Sequence, residues 1–138
     1  MVMDAERFRG LAGFRQGLRR FLAASEQISR EAGVTPQQYQ VLLAIKAADG
    51  RELAMKDLAE ELLLAPHAAV QLMDRLEKAG LAERRPSERD RRFVFVALTP
   101  KGDALINELG ERHLEEMLRQ EPQLRSSLNR LRRLSPSP

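Results

Sequence analysis

Five arginines lie within the nine residues from Arg84 to Arg92, where they could bind phosphate groups. The segment also holds Glu88 and Asp90, so its formal charge is +3, which equals the net charge of the whole 138-residue chain. The rest of the sequence therefore carries no net formal charge. Basic charge focused on one short segment is typical of an element that contacts nucleic acid. On charge alone, an ordinary solvated loop is an equal alternative.

The residues around this segment predict a β-hairpin. Leu81 to Arg85 can form a strand, and Phe93 to Leu98 is a β-branched and aromatic run that is typical of a strand. The polar segment 86–91, which begins with a proline, lies between them. A strand, a basic loop and a second strand are thus expected.

A helix-turn-helix is predicted immediately before the hairpin. Residues Met55 to Leu63 are rich in helix formers, and a second amphipathic helix runs from Pro66 to Gly80. Ala65 precedes a proline, which disfavours the helical conformation at Ala65 and ends the first helix. The glycine usual in such turns is absent, so Pro66 is expected to set the bend.

Helices are also predicted on the amino-terminal side of this motif. Apolar residues at spacings of three and four indicate a helix from about Ala5 to Ala32. Its glycines at 10, 13 and 17 could let another helix approach closely. Thr35, Pro36 and Gln38 form a helix start with a capping box, and the helix continues to about Ala48 before an Asp49–Gly50 turn.

Leucines dominate the carboxyl-terminal segments. Thr99-Pro100 predicts a helix start, and Pro122 predicts a break between two helices. The apolar stripe of the last helix is expected to meet a second copy of the chain, although packing on its own domain is the alternative. The predicted dimerisation residues are Leu11, Leu124, Leu128 and Leu131.

Two motifs resemble those of the MarR family of winged helix-turn-helix transcriptional regulators. Residues 90–102, DRRFVFVALTPKG, are similar to its wing signature, and residues 74–81, DRLEKAGL, to the end of its recognition helix. The resemblance covers nearly the whole chain. It implies a homodimer whose first and last helices intertwine, two reading heads on a pseudo-palindromic DNA site, and often a small-molecule effector.

The predicted fold class is mainly α with a small β-hairpin wing, a winged helix-turn-helix on a helical dimerisation frame. One MarR-like domain would cover residues 1–138. Its reading head would comprise about 35–98, and its frame about 5–32 and 99–134.

Four residues of the second helix of the helix-turn-helix, which begins at Pro66, are predicted to contact DNA, since the early part of a recognition helix reads base edges in the major groove. Gln71 can bond adenine, His67 can donate to guanine or phosphate, and Ala68 can pack on a thymine methyl group. Arg75, one turn later, should reach phosphate or hold Asp90. The alternative for Gln71 and His67 is an ordinary surface position.

Four wing residues complete the predicted interface: Arg89, Asp90, Arg91 and Arg92. The resemblance implies that Asp90 orients the arginines and that Arg92 enters the minor groove or grips its phosphates. A narrow A·T-rich minor groove attracts arginine. A simple surface ion pair is the alternative.

An effector pocket is predicted from the same resemblance. Family members often bind small aromatic acids, and Phe14, Arg15, Tyr39 and His113 could supply an apolar wall, a cation and polar groups. Core or surface positions are the alternative for most of them.

Other classes of function find little support in the sequence. The chain has no cysteine, no apolar run near the roughly 20 residues of a membrane span, and no signal peptide. No catalytic or phosphate-loop motif occurs, so neither enzymatic activity nor a cofactor or metal is expected. We expect a cytoplasmic, sequence-specific double-stranded-DNA-binding regulator, a repressor released by an effector. A winged-helix protein-interaction module without DNA binding is the alternative.

Overall fold

The computed structural model describes residues 1–48, 50 and 52–136, so Asp49 of the predicted turn lies outside the described residues. Two compact units are formed, a first unit of residues 1–28 and 112–138 and a second unit of residues 29–111. In the described part of the chain the elements are α1 (Ala5–Glu31), α2 (Pro36–Ala48), β1 (Leu53–Ala54), α3 (Met55–Glu61), α4 (Pro66–Lys78), β2 (Ala82–Pro86), β3 (Val94–Leu98) and α5 (Pro100–Arg133).

The second unit has an aliphatic core to which its helices each contribute. Leu42 of α2, Leu58 of α3, and Met73 and Leu76 of α4 are completely buried. Full burial of one such side chain is worth roughly 1.5–3 kcal/mol. These contacts hold α4 by its inner face and leave its other face to solvent.

The sheet of this unit has the strand order β1-β3-β2, with both pairings antiparallel. The predicted hairpin is confirmed, with Arg84 opposite Val96 in the register of β2 and β3. The third strand, β1, was missed. Leu53 and Ala54 pair with Val96 and Phe95, but two residues are too few to show the alternation by which strands are recognised.

The turn between α3 and α4 is closed by a leucine. Leu63 has a positive φ of 55° and is 93% exposed, and the N–H groups of Leu63 and Leu64 donate to the carbonyls of Glu60 and Ala59. This left-handed position usually holds glycine, and another residue there costs roughly 1–2 kcal/mol. α3 accordingly ends at Glu61, two residues earlier than predicted. The predicted restart at Pro66 is confirmed.

The start of α2 has the predicted capping box. The Gln38 N–H donates to Thr35 Oγ1 at 3.1 Å, and the Thr35 N–H donates to Gln38 Oε1 at 2.9 Å. Two amide groups that the first turn leaves without helical partners are thus satisfied.

The junction between α4 and α5 depends on Thr99 and two glycines. Gly80 ends α4 with a φ of 71°, and its carbonyl accepts a 2.6 Å hydrogen bond from the Thr99 hydroxyl. Thr99 Oγ1 also accepts the Gly102 N–H at 3.0 Å, which caps α5. A Cβ atom on Gly102 would lie 1.8 Å from the Leu81 carbonyl oxygen, so only glycine fits this contact.

In the first unit, α1 packs closely on the last part of α5 through two of the three predicted glycines. A Cβ on Gly10 would lie 2.8 Å from Leu134 Cδ1, and one on Gly17 would lie 3.4 Å from Leu124 Cδ2. At Gly13 no described atom beyond the adjacent backbone of α1 lies within 4 Å of the corresponding position.

The predicted helix break at Pro122 is wrong, because α5 continues through this residue to Arg133. Half-buried side chains recur three or four residues apart on both sides of Pro122, as at Gln120, Leu124 and Leu131, while Pro122 itself is exposed. The unbroken burial pattern shows that packing on one helix face outweighs the hydrogen bond that proline removes.

Candidate nucleic-acid interface

The outer face of α4 presents most of the predicted base-contacting residues to solvent. His67, Gln71 and Arg75 are exposed, whereas Ala68 is half-buried at the edge of the face. The opposite face is buried through Ala69, Leu72, Met73 and Leu76. α4 is therefore an outward-facing amphipathic helix, and not one packed inside the second unit.

A buried serine organises the wing tip, which we define as residues 87–92. Ser87 is 4% exposed, and its Oγ accepts the N–H groups of Arg89 at 3.1 Å and Asp90 at 3.0 Å. The same hydroxyl donates to Glu52 Oε2 at 3.3 Å. Sequence reasoning missed both residues. The only signal was a serine two and three positions before the donors, the spacing of a serine turn.

Asp90 holds Arg92 in a fixed orientation. Asp90 Oδ2 accepts Arg92 Nη2 at 2.7 Å, while Asp90 Oδ1 accepts the Arg92 backbone N–H and Nε, both at 3.0 Å. The Arg92 side chain remains 84% exposed, and its guanidinium lies 5.9 Å from the centre of the Phe93 ring. Of the two roles predicted for Arg75, holding Asp90 is wrong, because Arg92 takes that carboxylate.

These hydrogen bonds lower the pKa of Asp90, through the Arg92 side chain first and the Arg92 backbone N–H second. A lowered pKa favours the charged carboxylate. The pair is therefore complete at neutral pH and is lost only as the pH falls through that lowered pKa.

Three exposed arginines of α4 and the wing tip are available to an external anion, as far as the described residues show. Among the described residues, Arg75, Arg89 and Arg91 have no ion-pair partner. All three are exposed, one on α4 and two in the wing tip. Together with the oriented Arg92, they give these two elements four outward-directed positive groups.

The remaining two arginines of the basic segment are held within the protein. Arg85 pairs with Glu83 on β2. Arg84 pairs with Asp74 at 2.8 Å and with Glu77, and its Nη2 also donates to the Val70 carbonyl at 3.3 Å. Burial lowers the pKa of Arg84, but the two carboxylates outweigh burial and raise that pKa above its ordinary value. The charge count alone could not separate these paired arginines from the free ones.

The predicted effector residues are divided between the units, with Phe14, Arg15 and His113 in the first unit and Tyr39 in the second. Phe14 is half-buried and Arg15 is exposed. His113 is buried, and its Nε2 lies 2.9 Å from Ser25 Oγ. Burial raises the pKa of Tyr39. The pocket stays a prediction.

The predicted dimerisation residues differ in exposure. Leu11 is 47% exposed and Leu128 is 49% exposed, whereas Leu124 and Leu131 are half-buried. A Cβ on Gly10 would lie 3.3 Å from Leu131 Cδ2. Part of the stripe thus packs on α1 of the same chain, and Leu11 and Leu128 keep apolar surface for another contact.

The described residues lack the features of two other kinds of site. No group of three or more histidine, cysteine, aspartate or glutamate side chains there could hold a metal ion. No described helix is long and apolar enough to cross a membrane.

Residues 32–92, which include α2 to α4, β1, β2 and the wing tip, match the family model described as MarR family. Over this segment the chain is similar to the MarR family. Two curated relatives are the transcriptional regulator FarR of Neisseria gonorrhoeae and the transcriptional repressor MdtR of Bacillus subtilis. FarR is 33% identical over 61% of this chain and 56% of its own length. MdtR is 35% identical over 56% of this chain and 48% of its own length. The chain thus spans about half the length of the curated relatives it matches.

Solved structures of the MarR family share the fold. AbsC of Streptomyces coelicolor has a TM-score of 0.78 and 22% identity, over 87% of this chain and 81% of AbsC. A MepR mutant of S. aureus, solved with a bound oligodeoxyribonucleotide, has a TM-score of 0.67 and 21% identity, over 88% of this chain and 95% of the MepR chain. CouR of Rhodococcus jostii, solved with p-coumaroyl-CoA, has a TM-score of 0.66 and 26% identity, over 72% of this chain and 69% of the CouR chain.

Proposed function

We propose that this chain is a sequence-specific double-stranded-DNA-binding transcriptional regulator that acts as a repressor in the cytoplasm. The observation that carries the proposal is the pairing of an outward-facing α4 with a rigid wing tip, which together expose Arg75, Arg89, Arg91 and the oriented Arg92. A helix of this kind fits the major groove, and arginines bind the phosphates beside it or enter the minor groove.

The active form in this proposal is a homodimer that is released from DNA by a small aromatic effector. Exposed leucines on α1 and α5, among them Leu11 and Leu128, support an interface with a second copy. Two copies related by a twofold axis would place two α4 helices on a pseudo-palindromic site, with half-site centres about 34–36 Å apart. The acyl-CoA ligand of CouR supports an effector only by likeness.

Titration of the protein with duplex DNA across salt concentrations tests the function. We expect the logarithm of the binding constant to fall linearly with the logarithm of salt concentration, with a slope of about −0.9 per phosphate neutralised. The duplexes for this titration are those that the protein enriches from a random library. Sedimentation of the complex then gives the number of protein chains bound to one duplex. Absence of duplex binding, or a flat salt response, would contradict the proposal and favour a protein-interaction module.

Gln71→Ala is expected to change which base is preferred at one operator position. The exposed amide of Gln71 can make two hydrogen bonds to adenine, so its loss should cost roughly 1–3 kcal/mol at that position. The measurement compares the duplexes enriched by the variant and the native protein. Because Gln71 is uncharged, the salt slope should not change. An identical set of preferred bases would remove Gln71 from base readout.

A further inference from the structure

Arg84 differs from the other arginines of its segment in the number of groups it binds on α4. Its guanidinium contacts the carboxylates of Asp74 and Glu77 and the carbonyl of Val70. The Arg84 side chain is 28% exposed, against 84% for Arg92. One side chain of β2 thus ties the first strand of the wing to three positions along α4, while little of it remains for an external anion.

The two carboxylates lie on the part of the protein that would face DNA. Asp74 falls between Gln71 and Arg75 on α4, and its side chain is 60% exposed. Glu77 is 37% exposed. An acidic group close to a phosphate backbone opposes binding unless a cation neutralises it. Arg84 supplies that cation from within the protein.

Strand geometry separates this role from that of the neighbouring arginine. Successive residues of a strand point to opposite faces, so Arg84 is directed to α4 and Arg85 away from it. Arg85 is 61% exposed and pairs with Glu83 of its own strand. The two arginines carry the same charge and are adjacent in sequence, but Arg84 binds carboxylates of α4 and Arg85 binds a carboxylate of its own strand.

We propose that Arg84 is a positioning residue that fixes the wing against α4 and masks the charges of Asp74 and Glu77, and that it does not bind phosphate. The proposal rests on the DNA-binding function proposed above. Loss of Arg84 should then act in two ways. It should release the first wing strand from the helix, and it should leave two carboxylates uncompensated on the surface that approaches the duplex.

The test compares Arg84→Ala with the matched control Arg85→Ala, which removes the same charge from the adjacent position. We expect Arg84→Ala to weaken duplex binding by about 30-fold or more and Arg85→Ala by about threefold or less, because the first uncovers the two carboxylates of α4 and the second uncovers one, Glu83, on the strand face directed away from α4. Adding Asp74→Asn and Glu77→Gln to Arg84→Ala should restore about tenfold of the loss. Equal losses in the two single variants would overturn the proposal, as would a failure of the neutral pair to restore binding.

A second measurement without DNA keeps this inference separate from the proposed function. Amide hydrogen exchange in β2 and the wing tip should become about tenfold faster in Arg84→Ala and stay unchanged in Arg85→Ala. If the native protein binds no duplex, the proposed function fails, and the exchange rates alone then test whether Arg84 fixes the wing against α4. Unchanged exchange in Arg84→Ala would overturn that positioning role. Arg84→Lys, which keeps the charge but cannot bridge both carboxylates, should give intermediate values in both measurements.

Discussion

Gly102→Ala is expected to destabilise the protein by on the order of 3 kcal/mol, since overpacking a tight contact typically costs 1–3 kcal/mol and occasionally more. The new methyl group would meet the Leu81 backbone carbonyl oxygen at 1.8 Å, a distance that no side-chain rotation can relieve. Either α5 or the chain after Gly80 would have to move. The change would then break the hydrogen bonds of Thr99 to Gly80 and Gly102. Urea unfolding followed by circular dichroism measures the loss.

Gly110→Ala is the matched control for this prediction. Gly110 lies on the same helix, and apart from its chain neighbours and the adjacent backbone of that helix no described atom lies within 4 Å of the position of its missing Cβ. Alanine is favoured over glycine in a helix by about 1 kcal/mol, so this variant should gain stability. Equal unfolding free energies for the two variants would show that the close contact at Gly102 does not constrain the fold.

Replacing Arg89, Arg91 and Arg92 together by alanine is expected to weaken duplex binding by about 100-fold or more at moderate salt and to make the salt slope shallower by up to about 2.7. The slope changes because each arginine that neutralises a phosphate releases about 0.9 counterion. Fluorescence anisotropy at several salt concentrations gives both quantities. The loss should be similar for all duplex sequences, because contacts to the backbone carry little base information.

Arg119, Arg125 and Arg130 of α5 provide a control with the same change in net charge. All three are exposed, and two form ion pairs within the helix, Arg119 with Glu116 and Arg125 with Glu121. Their replacement by alanine should leave the salt slope unchanged. If both triple variants lowered the slope equally, the effect would come from net charge, and the wing tip would not be the phosphate-binding element.

The elements that the sequence predicted are those whose signals are local. Thr35 and Gln38 are three residues apart, and their side chains make the expected capping box. The hydrophobic run of β3 and the restart at Pro66 are equally local. Each depends on neighbours that the sequence itself places together, so propensity and spacing were sufficient.

The features that were missed depend on contacts between distant residues. Pro122 removes one helical hydrogen bond, but whether the helix ends there depends on apolar packing over the next three turns. Glu52 reaches Ser87 only because the sheet brings their segments together. The partners of Arg84 lie seven and ten residues earlier, so the charge pattern could not show that this arginine is already paired.

The hydrogen bonds between Asp90 and Arg92 also affect the entropy of binding to DNA. An arginine side chain carries about 2 kcal/mol of rotamer freedom at room temperature, which a contact with DNA must restrict. The hydrogen bonds to Asp90 restrict the Arg92 side chain before DNA arrives, whereas Arg89 and Arg91 have no ion-pair partner among the described residues to restrict theirs. Binding through Arg92 therefore restricts fewer new torsions than binding through either neighbour.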